Sequence, residues 1–249
     1  LLPDGFTSRI VAVAGEPVGD TDYAWPAFPD GAATFATDDG GWIQTVNSEV
    51  SPLFANDQGG VSAIVYDAEG EIVDAYAILT GSTTNCAGGA TPWGTWLSCE
   101  EPPDAQGKLW ECDPTGENDA VAHEAMGIWR REAAAVDPVA ETVYMTEDDP
   151  VGLLYRFTPT SYPDLSAGLL EAATVADDGS VTWTEVPDPS ASETACHDQV
   201  PGATVFVGGE GIWYHDGSVY FTSKGDDRVH TIDVVEQTYE LLWDGDPDT

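Results

Sequence analysis

Two stretches of the chain repeat one another. Glu132-Ala133-Ala134-Ala135-Val136-Asp137, followed by Val143-Tyr144-Met145-Thr146, has a counterpart in Glu210-Gly211-Ile212-Trp213-Tyr214-His215-Asp216, followed by Val219-Tyr220-Phe221-Thr222. Each opens a meander of short β-rich runs: 132–136, 142–146 and 153–157 in the first, 210–214, 218–222, 229–233 and 239–243 in the second. Recurrent meanders joined by tight turns are how propeller blades appear in a sequence. On that reading Glu132 and Glu210 begin the innermost strands of their blades and point toward one axis. The competing reading is that a glutamate at the start of a repeat caps a turn.

The rest of the chain agrees with an all-β fold. Helical periodicity is scarce, and Gly, Pro and Asp punctuate the strand-like runs. The runs 61–66 and 72–79 flank Asp67-Ala68-Glu69-Gly70 as a hairpin, and 107–112 closes at Asp113-Pro114. Four or five blades can be counted in a single domain spanning 1–249. Segments 113–125 and 159–202 are polar, poor in strand signals, and expected to be surface loops.

Charge restricts the partners. Seven Lys plus Arg stand against 45 Asp plus Glu, a formal charge of −38. Nucleic acid is not expected as a partner, because a phosphate backbone needs a cationic surface. Disorder is excluded by a hydrophobic content of 42% that includes nine Trp and nine Tyr, enough for a core. Self-repulsion on this scale is tolerable in brine, so a halophilic or marine source is expected; calcium binding would use only a small share of the acids. No apolar run is long enough to cross a bilayer. Oligomeric state is not legible.

The chemistry concentrates at Asn85-Cys86-Ala87-Gly88-Gly89-Ala90-Thr91-Pro92-Trp93-Gly94-Thr95-Trp96-Leu97-Ser98-Cys99-Glu100-Glu101. A thiol beside two glycines runs through a turn and a short strand into paired carboxylates. Soft sulfur favours iron or zinc and hard oxygen favours calcium or magnesium, so together they suggest a metal site. The plainer alternative is a buried cysteine on a turn and a solvated acidic edge. Other blocks accompany it: Asp30-Gly31-Ala32-Ala33-Thr34-Phe35, Gly40-Gly41-Trp42-Ile43, Asn47-Ser48-Glu49, Arg131 to Pro138, Val143 to Asp148, and Gly208 to Tyr214.

In wording and order these blocks resemble the PhoX-type alkaline phosphatases and the bacterial proteins around them. The resemblance implies a six-bladed propeller, of which C-terminal motifs are missing after Asp248-Thr249, so one or more blades are expected to be absent. It also implies a calcium- and iron-dependent phosphomonoesterase acting on a small phosphate ester. The implied location is exported, secreted or in the cell envelope. No signal peptide stands at Leu1, and a leader is expected to have been removed.

Carried over position by position, the resemblance makes Cys86 the iron ligand and Glu132 and Glu210 the carboxylates completing or bridging the metals. Asn47, Glu49, Glu100, Glu101, Glu147 and Asp148 become oxygen donors to calcium or to the cluster edge. Only one of Glu100 and Glu101 is expected to face the channel, since adjacent side chains of a strand alternate. One departure stands out: where the family reads Phe-x-His-Glu-Ala, this chain has Trp129-Arg130-Arg131-Glu132-Ala133. Arg131 replaces the histidine; it cannot ligate a metal but can grip phosphate, as can Lys224. Both alternatively just offset neighbouring acids. His123-Glu124 mimics a metal pair but reads as a loop, and His197, His215 and His230 lack ligand spacing. Cys112 and Cys196 lie outside the recognised blocks, and a disulfide between them is an expectation for an exported chain. Two other functions stay open: a calcium-dependent propeller lactonase or phosphotriesterase, and a calcium-stabilised binding propeller without catalysis.

Overall fold

The computed structural model describes residues 2–53 and 59–245. Its strands form four antiparallel sheets in chain order. The first contains β1 (Pro29–Ala36), β2 (Trp42–Ser48), β3 (Gly59–Tyr66) and β4 (Ile72–Ser82), and the second β5 (Asn85–Ala90), β6 (Trp96–Glu100), β7 (Leu109–Cys112) and β8 (Val121–Ala122). The third contains β9 (Arg131–Asp137), β10 (Thr142–Glu147), β11 (Leu154–Ser161), β12 (Asp164–Val175) and β13 (Val181–Glu185). The fourth contains β14 (Gly209–His215), β15 (Ser218–Ser223), β16 (Arg228–Asp233) and β17 (Thr238–Asp244). Every sheet is a simple meander, which is blade architecture. Among the described residues there is no α-helix, only the 3-10 turns Glu124–Met126 and Cys196–Gln199.

Local chemistry closes the hairpins. In the β3–β4 turn Asp67 Oδ1 accepts the N–H groups of Glu69 and Glu71, and Gly70 supplies the φ of +82°. Alternation then sets the faces: in β15 Val219 and Phe221 are buried while Tyr220 and Thr222 are half-buried.

The sheets stack through successive apolar layers. Ile43, Val61, Ile78 and Trp96 lie between the first and second sheets; Leu97, Leu109, Trp129, Val143 and Met145 between the second and third. Tyr144, Leu154, Ile212, Val219 and Phe221 fill the space between the third and fourth. Val18 and Trp25, before β1, cover the outer face of the first sheet. The first strands stand side by side, β5 packing against β1 and β9, and β9 against β14. Glycine permits this: a Cβ at Gly31 would lie 2.6 Å from Ala87 Cα, and one at Gly89 would lie 1.9 Å from the Ala134 carbonyl oxygen.

Three expectations change. Segment 159–202 contains the end of β11 and all of β12 and β13, so it supplies two whole strands of the third sheet, and its longest stretch outside the strands is 186–202. Leu165-Ser166-Ala167-Gly168-Leu169-Leu170 lacks the β-branched residues that mark a strand; β12 forms because it pairs with β11, with Leu170 opposite Phe157. Segment 113–125 contributes the two-residue β8 to the second sheet. Finally, Cys112 and Cys196 are not joined. All four cysteines are free and buried; Cys112 sits between the first and second sheets and Cys196 between the second and third.

Candidate metal centre

Asp30, Cys86, Glu132 and Glu210 are each the second residue of the first strand of their sheet. A second set, Glu49, Glu101, Asp148 and Lys224, are each the residue immediately after the second strand. Antiparallel pairing brings the end of one strand beside the start of the other, so each sheet delivers one residue of each set to the same corner. One backbone hydrogen bond recurs in all four sheets. The N–H of Glu49 donates to the Phe28 carbonyl at 2.8 Å, Glu101 to Thr84 at 2.8 Å, Asp148 to Arg130 at 3.0 Å and Lys224 to Gly208 at 2.8 Å. Each acceptor lies two residues before the first-strand member of the pair.

Because the first strands pack laterally, the four corners meet. Three overlapping trios have potential ligand atoms within 4.8 Å of one another: Asp30, Glu49 and Cys86; Cys86, Glu101 and Glu132; Glu132, Asp148 and Glu210. The Cys86 thiol lies 3.3 Å from Asp30 Oδ2 and 3.2 Å from Glu132 Oε2. Cys86, Glu101, Glu132 and Asp148 are buried.

Six carboxylates and a thiol face two cations. Lys224 Nζ is 2.6 Å from Asp148 Oδ2 and 2.8 Å from Glu210 Oε1. The Arg130 guanidinium hydrogen-bonds Glu101 and lies 3.6 Å from Asp148. The remaining negative charge is poorly accommodated. Burial, then Glu210, pushes the Glu132 carboxyl up to about 8. Burial, then Asp148, raises Glu101 to about 7 against the opposing pull of Arg130. Burial and Glu132 drive the Cys86 thiol far above its ordinary value, and burial with Asp30 raises Glu49. Anions crowded in this way are relieved by taking up protons or by a bound cation. The donor set suits one: oxygen for calcium, and a single sulfur for a softer ion such as iron.

The other expected donors do structural work. Asn47 donates to the carbonyls of Cys86 and Ala87 at 2.9 and 2.8 Å, and its Oδ1 accepts from Trp96 Nε1 at 2.8 Å and Ser98 Oγ at 2.9 Å. With those contacts it clamps β5 and so positions Cys86. Glu100 accepts the N–H groups of Thr83 and Lys108, while Glu101 faces the cluster. Glu147 turns away from Asp148 and accepts from Leu153 N, Tyr155 OH and His197 Nδ1.

Arg131 does not reach the cluster. Its guanidinium is fully buried, 3.6 Å over the Trp129 ring, and donates to the Met126 and Gly127 carbonyls. Alternation puts Arg130, not Arg131, on the side of Glu132. The expected position of Arg131 at the metal-ligand side chains is therefore corrected: Arg130 is the arginine that lies against Glu101 and Asp148. Sequence reasoning also missed Asp30, which joins Glu49 and Cys86 in the first trio. The signal for it was present: Asp30-Gly31, Cys86-Ala87, Glu132-Ala133 and Glu210-Gly211 each place a ligand-type residue before a small one. None of the four histidines has a side chain in the trios. His123 pairs with Glu111, and His230 lies between Ser223 and Tyr239.

The family model described as "Alkaline phosphatase PhoX" matches residues 67–239. No curated protein matches the chain. Among solved structures it is similar to the PQQ-bound form of aldose sugar dehydrogenase from Streptomyces coelicolor, with 14% identity and a TM-score of 0.54 over 92% of this chain and 71% of that one. A chain of a nidogen/laminin complex has 13% identity and a TM-score of 0.42 over 86% and 78%. A Synechocystis apocarotenoid oxygenase mutant has 12% and 0.41 over 86% and 49%. At such identities the dehydrogenase likeness speaks for the propeller-type fold alone.

Proposed function

The chain belongs to the alkaline phosphatase PhoX family, and on that footing we propose that it hydrolyses phosphate monoesters at a calcium- and iron-binding cluster held by Asp30, Glu49, Cys86, Glu101, Glu132, Asp148 and Glu210. The observation that supports this most is the meeting of one thiol with six carboxylates at the corner shared by four sheets. Bound there, di- and trivalent cations would neutralise the phosphate and act as Lewis acids toward its oxygens.

The protein's own groups have separable tasks. Cys86 and Glu132 form the buried floor, and Asn47 fixes the strand that carries Cys86. Lys224, more than half exposed, and Arg130, about one-third exposed, stand at the edge, where each can exchange a carboxylate partner for a phosphate oxygen. This role for two cations matters in a chain whose overall field repels anions. An exported location goes with this reading, since phosphate esters outside the cell are the substrates such a chain would meet.

Elemental analysis of purified protein, combined with p-nitrophenyl phosphate turnover with and without chelator, tests the proposal. Calcium and iron should copurify, and chelation should abolish turnover. Glu210→Gln should lose metal and at least the roughly 100-fold in rate that even outer partners of a metal can cost. Full turnover in chelator, or in Glu210→Gln, overturns it. Cys86→Ser separates the calcium-only propeller hydrolase, which needs no sulfur and would keep its rate.

A further inference from the structure

A cavity of about 610 Å³ lies along the first strands just beyond the cluster. Four of its walls repeat the same offset: residues 32–34, 88–90, 134–136 and 212–214, two to four places after Asp30, Cys86, Glu132 and Glu210. At about 3.3 Å per extended residue, its near end stands roughly 7 Å from the cluster. One ester molecule can span that distance. The volume falls within the usual range for small-molecule sites.

The lining differs sharply from the rest of the chain. No charged residue contributes to it, in a protein with 45 acidic and seven basic side chains. Small residues at 32, 88, 90 and 134 keep the space open, while Trp213 and Tyr214 stand at its edge, Trp213 being 69% exposed. Polar side-chain partners are few: the Trp96 N–H is already given to Asn47, the Tyr214 hydroxyl accepts the N–H of Gly217, and Thr34 adds a single hydroxyl, too few for the several hydroxyls of a sugar. A sugar or nucleoside would bring hydroxyls that lose water without replacement. A flat apolar group would lose nothing and could stack on the aromatic edge.

We infer that this cavity receives the apolar alcohol part of the ester, an aryl or alkyl group, while its phosphate lies at the cluster. The inference rests on the phosphatase reading above and adds the substrate class. The chain would then favour uncharged, hydrophobic phosphate monoesters over sugar and nucleoside phosphates.

Two measurements on metal-loaded protein test it: 1-naphthol binding by calorimetry, and KM for 1-naphthyl phosphate against glycerol phosphate. 1-Naphthol should bind once per chain, and the aryl ester should have a KM at least about tenfold lower, as expected for burying a ring. Ala32→Phe and Ala90→Phe, which fill the cavity, should remove 1-naphthol binding and bring the two KM values together. Hydrolysis of both esters with equal KM, or absence of 1-naphthol binding, overturns the cavity assignment alone. Failure to hydrolyse either ester overturns the phosphatase reading, and with it the alcohol role, even if 1-naphthol binds. A dimer in sedimentation whose cavity excludes 1-naphthol overturns the assignment in favour of self-association.

Discussion

Adjacent arginines at 130 and 131 end in opposite environments, because successive side chains of an extended segment leave on opposite faces. Arg130 lies against Glu101 and Asp148 at the cluster; Arg131 is enclosed between sheets, with burial lowering its guanidinium to about 10. Substitution should separate the two roles. Arg131→Ala removes a buried side chain and strands the Met126 and Gly127 carbonyls, costing about 3 kcal/mol of stability. Arg130→Ala leaves the buried Glu101 and Asp148 short of a cation and so should also lower the urea midpoint of metal-free protein, but it alone should raise KM for p-nitrophenyl phosphate about tenfold, the loss of a charge-assisted phosphate contact. Equal effects of the two changes on KM would refute the assignment.

At the scale of strands, the site depends on how closely the first strands approach. Gly89 lies against the Ala134 carbonyl, so Gly89→Ala forces β5 and β9 apart. The cost should approach the 3 kcal/mol typical of severe overpacking, and calcium affinity should fall with it, because Cys86 and Glu132 ride on those two strands. Urea denaturation and calcium calorimetry on the same protein read both effects. The fourth sheet has a pH dependence of its own. His230 is stacked on Phe221, hydrogen-bonded to Ser223 and Tyr239, and held down at about 4 chiefly by burial; nearby Asp226 and Arg228 act in opposite directions. Above the ordinary histidine value of 6.5 it is neutral in both folded and unfolded chains. As pH falls from 6.5 toward 4 only the unfolded chain takes up the proton, so folding weakens across that window. Stability should therefore fall more steeply between pH 7 and 5 in the wild type than in His230→Gln. Parallel slopes would show that His230 contributes nothing to the pH dependence.

For the whole molecule the governing quantity is the charge of −38. Monovalent salt should raise Tm gradually by screening, with most of the rise complete by molar concentrations. On the proposed function calcium should act differently, since it would bind only the folded cluster. At about 100 times its dissociation constant it should add about 2.7 kcal/mol, at ionic strengths too low to screen. Glu210→Gln should lose the calcium increment and keep the response to sodium chloride. A wild-type Tm indifferent to both salts would contradict the electrostatic account.

Several features of the site are local enough to be visible along the chain. The strand period, the turn residues and the repeated start at Glu132 and Glu210 are properties of short segments, and so is the Cys86 block. Together they specify an all-β meander with a thiol and carboxylates at strand starts. What they leave open is what a side chain meets after leaving its strand. Asn47, Glu100 and Glu147 look like oxygen donors in one dimension, yet their oxygens and amide are consumed by hydrogen bonds made across sheets and loops. Arg131 is indistinguishable from Arg130 until β9 is packed, and the 165–170 part of β12 has no strand signal until β11 is beside it. Alternation is written in the chain, but which face meets water, core or cluster is decided by neighbours distant in sequence, and only the folded structure supplies them.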